Sequence, residues 1–363
     1  MQNFNLNSSS HAVDYKAIYR LIVNRNRMTT STKKLRKRAA KLTKLLSATA
    51  IIVGLSACGD PVVEQIEQQL PVTEQRVDKL CQALENKQVR NANLIFQYAD
   101  KLKSQKPEFV DLIDQFKRDA TCQGPMYLAL VDRINTAKNQ KNMFASSQAR
   151  FDELINIYQA ADPVSYSDAL SDPLNVLADM SDGQLPRVNS LSKNQSQRAN
   201  NAQDFGVGEQ LIGNPAYGQW QTGSNGLSFW EWYGMYALLD NVLDASFGHR
   251  KRRYYYSDWG RYRNYSYYHD YGRTRYSSPT QLRKQSQIET RTKKSFQRQG
   301  KSFTSAYSRN RTGASSLSST SKSAQTSANK FRATNNASKS KYSKSASFRN
   351  SSNSTSRSFR RGK

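Results

Sequence analysis

"KRRYYYSDWGRYRNYSYYHDYGRTRY", residues 251–276, sets nine tyrosines, one tryptophan and seven Lys or Arg in 26 positions. Cations beside rings suit a flexible polyanion: Lys and Arg meet phosphates or carboxylates, and aromatic faces stack or insert. Nothing inside the stretch separates nucleic acid from any other polyanion. Read as solvated, it ends the folded part near Gly248 and makes everything after it a basic tail.

Charge follows the same boundary. The 363-residue chain carries a formal charge of +27, with a pI near 10.0 and a mean hydropathy of −0.80. Residues 58–249 hold 16 basic and 24 acidic side chains, a net of −8. Residues 250–363 hold 28 basic side chains and three acids (Asp258, Asp270 and Glu289), a net of +25. Such asymmetry implies a polyanion-binding tail on an ordinary folded part.

Upstream, apolar residues return at i, i+3, i+4 and i+7. Val77, Leu80, Cys81 and Leu84 do so, as do Phe109, Leu112, Ile113 and Phe116. Tyr127, Leu130, Val131 and Ile134 follow the same spacing, then Phe151, Leu154, Ile155 and Tyr158, with a looser stripe through Leu94, Ile95, Tyr98 and Leu102. This period predicts amphipathic helices, bounded at Pro71, Pro107 and Gly124-Pro125. The fold class expected is mainly α: a small helical bundle or helical-hairpin module over 72–182, after a tether at 58–71. Residues 183–227 read as a polar, glycine-rich linker. Residues 228–248 read as an aromatic amphipathic helix with Trp232, Met235, Tyr236, Leu239, Val242 and Leu243 on one side. The Tyr/Arg-rich segment occupies 249–276. Residues 277–363, poor in aliphatics, are expected to be disordered, with cation–aromatic units at Lys294-Ser295-Phe296, Lys301-Ser302-Phe303, Ser347-Phe348-Arg349 and Ser358-Phe359-Arg360.

At the amino end, Lys33, Lys34, Arg36, Lys37, Arg38, Lys41 and Lys44 precede an apolar run, Leu45–Ala57, of 13 residues. A bilayer span needs about 20, so the run reads as a secretory signal rather than an anchor. It ends in Leu55-Ser56-Ala57-Cys58-Gly59, which resembles the lipobox of bacterial lipoproteins. The resemblance covers residues 33–59. It implies removal of 1–57, with Met28 as an alternative start, and a diacylglyceryl group on Cys58. It also implies a bacterial cell-envelope location with membrane anchoring, the outer membrane favoured because Gly59 rather than Asp follows Cys58. In an oxidising envelope compartment, Cys81 and Cys122 are most simply one disulfide, with a free buried pair as the alternative. Two cysteines with no histidine between them make no convincing zinc site.

The candidate polyanion-binding residues are Arg250, Lys251, Arg252, Arg253, Tyr254, Tyr255, Tyr256, Trp259, Arg261, Arg263, Arg273 and Arg275. No catalytic residue, metal site or cofactor beyond the covalent lipid is expected. His269 with Asp270 and Asp258 matches no ligand spacing, no nucleophile elbow or HExxH is present, and the helical carboxylates read as solvated. The expectation is a structural or adaptor lipoprotein that binds lipopolysaccharide, anionic lipid, acidic polysaccharide or an acidic protein, with no small-molecule substrate. The alternatives are a nucleic-acid-binding protein using the same tail, and an enzyme with its site in the helical module.

Overall fold

The computed structural model describes residues 60–240, 242, 253–307, 311–313 and 317–323. The signal region and Cys58 lie outside the described residues, as do Arg250, Lys251, Arg252 and everything beyond residue 323. Contacts divide the chain at Asp60, and the unit described is the one that begins at Pro61.

Seven helices open it: α1 (Pro61–Glu85), α2 (Arg90–Gln105), α3 (Val110–Asp119), α4 (Pro125–Asn139), α5 (Ser147–Ala160), α6 (Pro163–Ala169) and α7 (Ser171–Met180). The first four apolar stripes face inward as their spacing requires: Leu80, Ile95, Phe116 and Leu130 are each 0 % exposed. The α5 stripe is rotated. Leu154 and Ile157 are buried with Arg150 and Glu153, while Phe151, Ile155 and Tyr158 are half-buried. An ion pair turns that face: Arg133 Nε lies 2.7 Å from Glu153 Oε1 in the interior.

The boundary expected at Pro71 is absent, because α1 runs through it and takes in most of the supposed tether. An interior proline costs a helix about 3 kcal/mol. Here Pro71 sits on the exposed side, and Ile66 beyond it is buried with Ala137 and Leu154. Packing on α5 outweighs the lost hydrogen bond. Helix α7 is buried nearly all round, the mark of a central helix. Cys81 of α1 is bonded to Cys122, in the turn after α3.

Residues 183–227 are not a linker. They contain helix α8 (Lys193–Asn200), a 3-10 turn at Glu209–Leu211 and strand β1 (Gly218–Thr222). The predicted aromatic helix is likewise corrected: Ser228–Trp232 form strand β2, antiparallel to β1 with Trp220 opposite Trp230. Ser228, Trp230 and Trp232 point inward while Phe229 and Glu231 do not, so the period of two prevails over the helical stripe. A 3-10 turn follows at Gly234–Ala237, which leaves Met235 of that stripe exposed.

Next, the Tyr/Arg-rich segment enters the core. Trp230 N–H donates to Tyr254 O at 2.9 Å, and Phe229 bridges Tyr255, extending the hairpin edge. Helix α9 (Tyr256–Tyr262) and a π-turn at Tyr268–Gly272 complete it. The disorder expected over 277–363 fails at the start of that range, while everything beyond residue 323 lies outside the described residues. Helix α10 (Pro279–Arg298) opens with a capping box in which Ser278 Oγ accepts from Gln281 N–H and Gln281 Oε1 accepts from Ser278 N–H. The architecture is mainly helical with one small two-stranded sheet. Among the described residues, no helix is long and apolar enough to cross a membrane.

Candidate functional site

Of the twelve residues proposed from sequence to meet a polyanion, the nine described do not form one exposed surface. Tyr254, Tyr256 and Trp259 are 2 %, 1 % and 1 % exposed, and Arg263 and Arg275 are buried with them. Their rings pack on one another: Trp259 lies 5.5 Å from Trp220 and 4.6 Å from His269, and Tyr256 lies 5.0 Å from Trp220. Tyr255 is half-buried. Arg273 lies over the Tyr307 ring at 3.7 Å and donates to Gln285 Oε1 at 2.9 Å. Only Arg253 and Arg261 of the described set are exposed, lying over Phe229 and Tyr262.

Buried Arg263 and the tyrosine backbone need partners, and the interior supplies them. Arg263 Nη2 lies 2.6 Å from Asp270 Oδ1, and the same guanidinium donates to Ala306 O. Asp172, in the first turn of α7, accepts from Ser266 Oγ and from the N–H groups of Tyr267 and Tyr268, each at 2.9 Å. Burial pushes the Asp172 carboxyl up to about 7 against the pull of those three donors. The helical carboxylates were thus misread as uniformly solvated. Asp119, Glu153, Asp168 and Asp172 are buried, and Asp119, pushed well up by burial, accepts from Tyr236 OH.

His269 has the chemistry of a core side chain. Its Nε2 lies 2.7 Å from Ile212 O, which only accepts, so Nε2 carries the proton. Burial and the Arg263 charge hold the ring neutral, well below its ordinary pKa. Trp259, Tyr268 and Tyr307 enclose it. Gly213, at φ +80°, also packs close to the ring, where a Cβ would lie 2.8 Å from His269 Cε1. Asp270 is engaged by Arg263 and Asp258 is exposed, so this trio does not converge.

The candidate contact surface is the outward face of α10, a helix about 30 Å long. It carries Arg283, Lys284, Arg291, Lys293, Lys294 and Arg298, all exposed, against one acid, Glu289. Arg283, Arg291, Lys294 and Arg298 stand at i, i+8, i+11 and i+15, one side of the helix. Opposite them, Gln285 and Ile288 are buried. Two cations rest on the hairpin: Lys284 Nζ lies 3.1 Å from Gln219 Oε1, and Arg291 Nη1 lies 2.6 Å from Thr222 Oγ1. Among the described residues none of the six forms an ion pair. Composition hid this helix, although its capping box was readable. In the two described cation–aromatic units, Phe296 and Phe303 are half-buried 5.0 Å apart while Lys294 and Lys301 stay in solvent.

A cleft of about 610 Å³ lies beside α7 and α8, but its cations are already paired, Arg187 with Asp179 and Lys193 with Asp204. Among the described residues, one group brings metal-ligand atoms together: Cys81, Glu85 and Cys122. Both sulfurs are bonded to each other, which leaves no thiolate for an ion. No family model matches this chain, and neither a curated protein nor a solved structure matches it.

Proposed function

We propose that the protein is a lipid-anchored envelope adaptor that engages anionic envelope polymers through the cationic face of α10. The observation that carries this reading is the run of six exposed cations on one helix with a single acid and no ion-pair partner among the described residues. Unpaired cations on a rigid helix attract a polyanion without first breaking internal salt bridges. The anchor part rests on the lipobox-like Leu55–Gly59 stretch and the basic–apolar order before it. A cation near an anionic membrane surface gains about 1 kcal/mol, so anchoring and the α10 face act in the same direction. Base stacking draws no support from Tyr254, Tyr256 and Trp259, whose rings are inside, and this favours envelope polyanions over nucleic acid.

Two measurements test the reading. Cys58→Ala is expected to move the protein from the membrane to the soluble fraction and to remove the acyl mass; unchanged fractionation removes the anchor. Purified protein is expected to bind lipopolysaccharide more tightly than duplex DNA at physiological salt. The reverse ranking gives the surface to nucleic acid.

A further inference from the structure

Apart from the α10 face, one guanidinium is out of place. Arg275 is 4 % exposed, yet it has no ion-pair partner among the described residues. Its Nη2 donates to the Gln159 amide oxygen at 3.1 Å, and its Nη1 is buried with no acceptor. Buried cations are ordinarily paired, because an amide oxygen does not replace the hydration that burial removes. The neighbouring buried cation shows the usual solution: Arg133 is held by both oxygens of Glu153.

Arg275 lines a cleft of about 400 Å³ with Arg76, Tyr158, Gln159 and Asp162. Arg76 lies over the Tyr158 ring at 5.4 Å and pairs with Asp162 at 2.5 Å, while its Nε is buried without an acceptor. The lining also includes the hydroxyl side chains of Ser319 and Thr320, both exposed. The lining thus joins two arginines to two hydroxyls, and among the described residues no acid pairs with Arg275.

We propose that this cleft binds a phosphoryl group. Arginine forks match phosphate oxygens in pairs, and hydroxyls in the same lining suit an anion whose acceptors point in several directions. The cleft exceeds a bare phosphate, so it takes a phosphate ester whose organic part rests near Tyr158. The site is separate from the α10 face and does not rest on the adaptor reading.

The test uses the full chain and inorganic phosphate as the probe, with chloride at equal ionic strength as the control. Phosphate is expected to raise the unfolding midpoint saturably and to give a 1:1 titration by calorimetry. Arg275→Gln is expected to weaken phosphate at least tenfold while leaving the phosphate-free midpoint equal to or above wild type, since it removes an uncompensated buried charge. A purely structural arginine would instead lower that midpoint. The double variant Ser319→Ala, Thr320→Val, on exposed positions that cannot unfold the core, is expected to weaken phosphate several-fold. Competition by glycerol phosphate or by phosphatidate vesicles then separates a soluble ester from a lipid headgroup. No saturable effect of phosphate over chloride, or an equal effect in Arg275→Gln, overturns the site.

Discussion

Replacing Trp259 with Ala tests whether the Tyr/Arg-rich segment is core or tail. Trp259 is 1 % exposed, with Trp220, Tyr256 and His269 ring centroids 5.5, 6.4 and 4.6 Å away. A buried tryptophan removes roughly 200 Å² from water, which at about 25 cal/mol per Å² is an upper bound near 5 kcal/mol. Truncating a buried aromatic to alanine costs about 3–5 kcal/mol in measured cores, so the two estimates agree. Three to five kcal/mol is a large part of ordinary domain stability. Urea unfolding followed by far-UV circular dichroism reads the loss, with Arg261→Ala, an exposed change two residues away, as the internal control expected within about 0.5 kcal/mol. Should Trp259→Ala fail to fold, Trp259→Phe is expected to cost roughly 1–3 kcal/mol. Equal small shifts in the tryptophan and Arg261 variants would mean that the segment is solvated and the packing derived for it is wrong.

The other predictions concern a covalent staple, a titrating acid and a tight turn. Cys81 and Cys122 close a loop with a sequence separation of 41, so replacing both with Ala is expected to lower stability by about 4 kcal/mol on the chain-entropy account, read by chemical denaturation. Glu209 is buried, and burial raises its carboxyl from 4.5 to about 7. The folded state therefore holds more protons than the unfolded chain between those values, and this group's contribution to stability falls as pH rises through that window. Glu209→Gln is expected to gain about 3 kcal/mol at pH 8 and little at pH 4, flattening the pH profile of thermal unfolding. A profile identical to wild type would contradict it. Gly213→Ala places a Cβ 2.8 Å from His269 Cε1 at a φ of +80°, so a loss of more than about 1 kcal/mol is expected in the same denaturation assay.

The helices over 61–180 were legible because their stripes repeat for several turns and one face dominates. The face of α5 was misplaced because sequence spacing cannot show that Glu153 is buried by an arginine 20 residues away. The stretch Ser228–Trp232 fits both a helical stripe and an alternating strand. Only its pairing with Gly218–Thr222 decides between them, and that pairing is not local. The Tyr/Arg-rich segment failed for a similar reason. Asp270 pairs with its Arg263 and Asp172 accepts from its backbone, and Asp172 lies 94 residues from its partner Ser266. Composition reports charge but not which charges meet. Helix α10 was the avoidable omission, since Ser278-Pro279-Thr280-Gln281 is an N-terminal signature and Leu282, Gln285, Ile288, Thr292 and Phe296 form its inner stripe.

Moving the polyanion surface from residues 250–276 to α10 is the central claim, and one variant addresses it directly. Arg283, Arg291, Lys294 and Arg298 are changed together to Gln, which leaves the buried Gln285–Ile288 side untouched. Each exposed cation facing an anionic surface contributes about 1 kcal/mol at low salt, so four give an upper bound near 4 kcal/mol, or about a thousandfold in affinity. Binding of purified full-length protein to lipopolysaccharide is measured across a salt series by a surface or fluorescence titration. The account predicts a large loss at low salt, a flatter dependence on salt and an unchanged unfolding midpoint. Unchanged affinity and slope would place the contact elsewhere in the chain and contradict the claim.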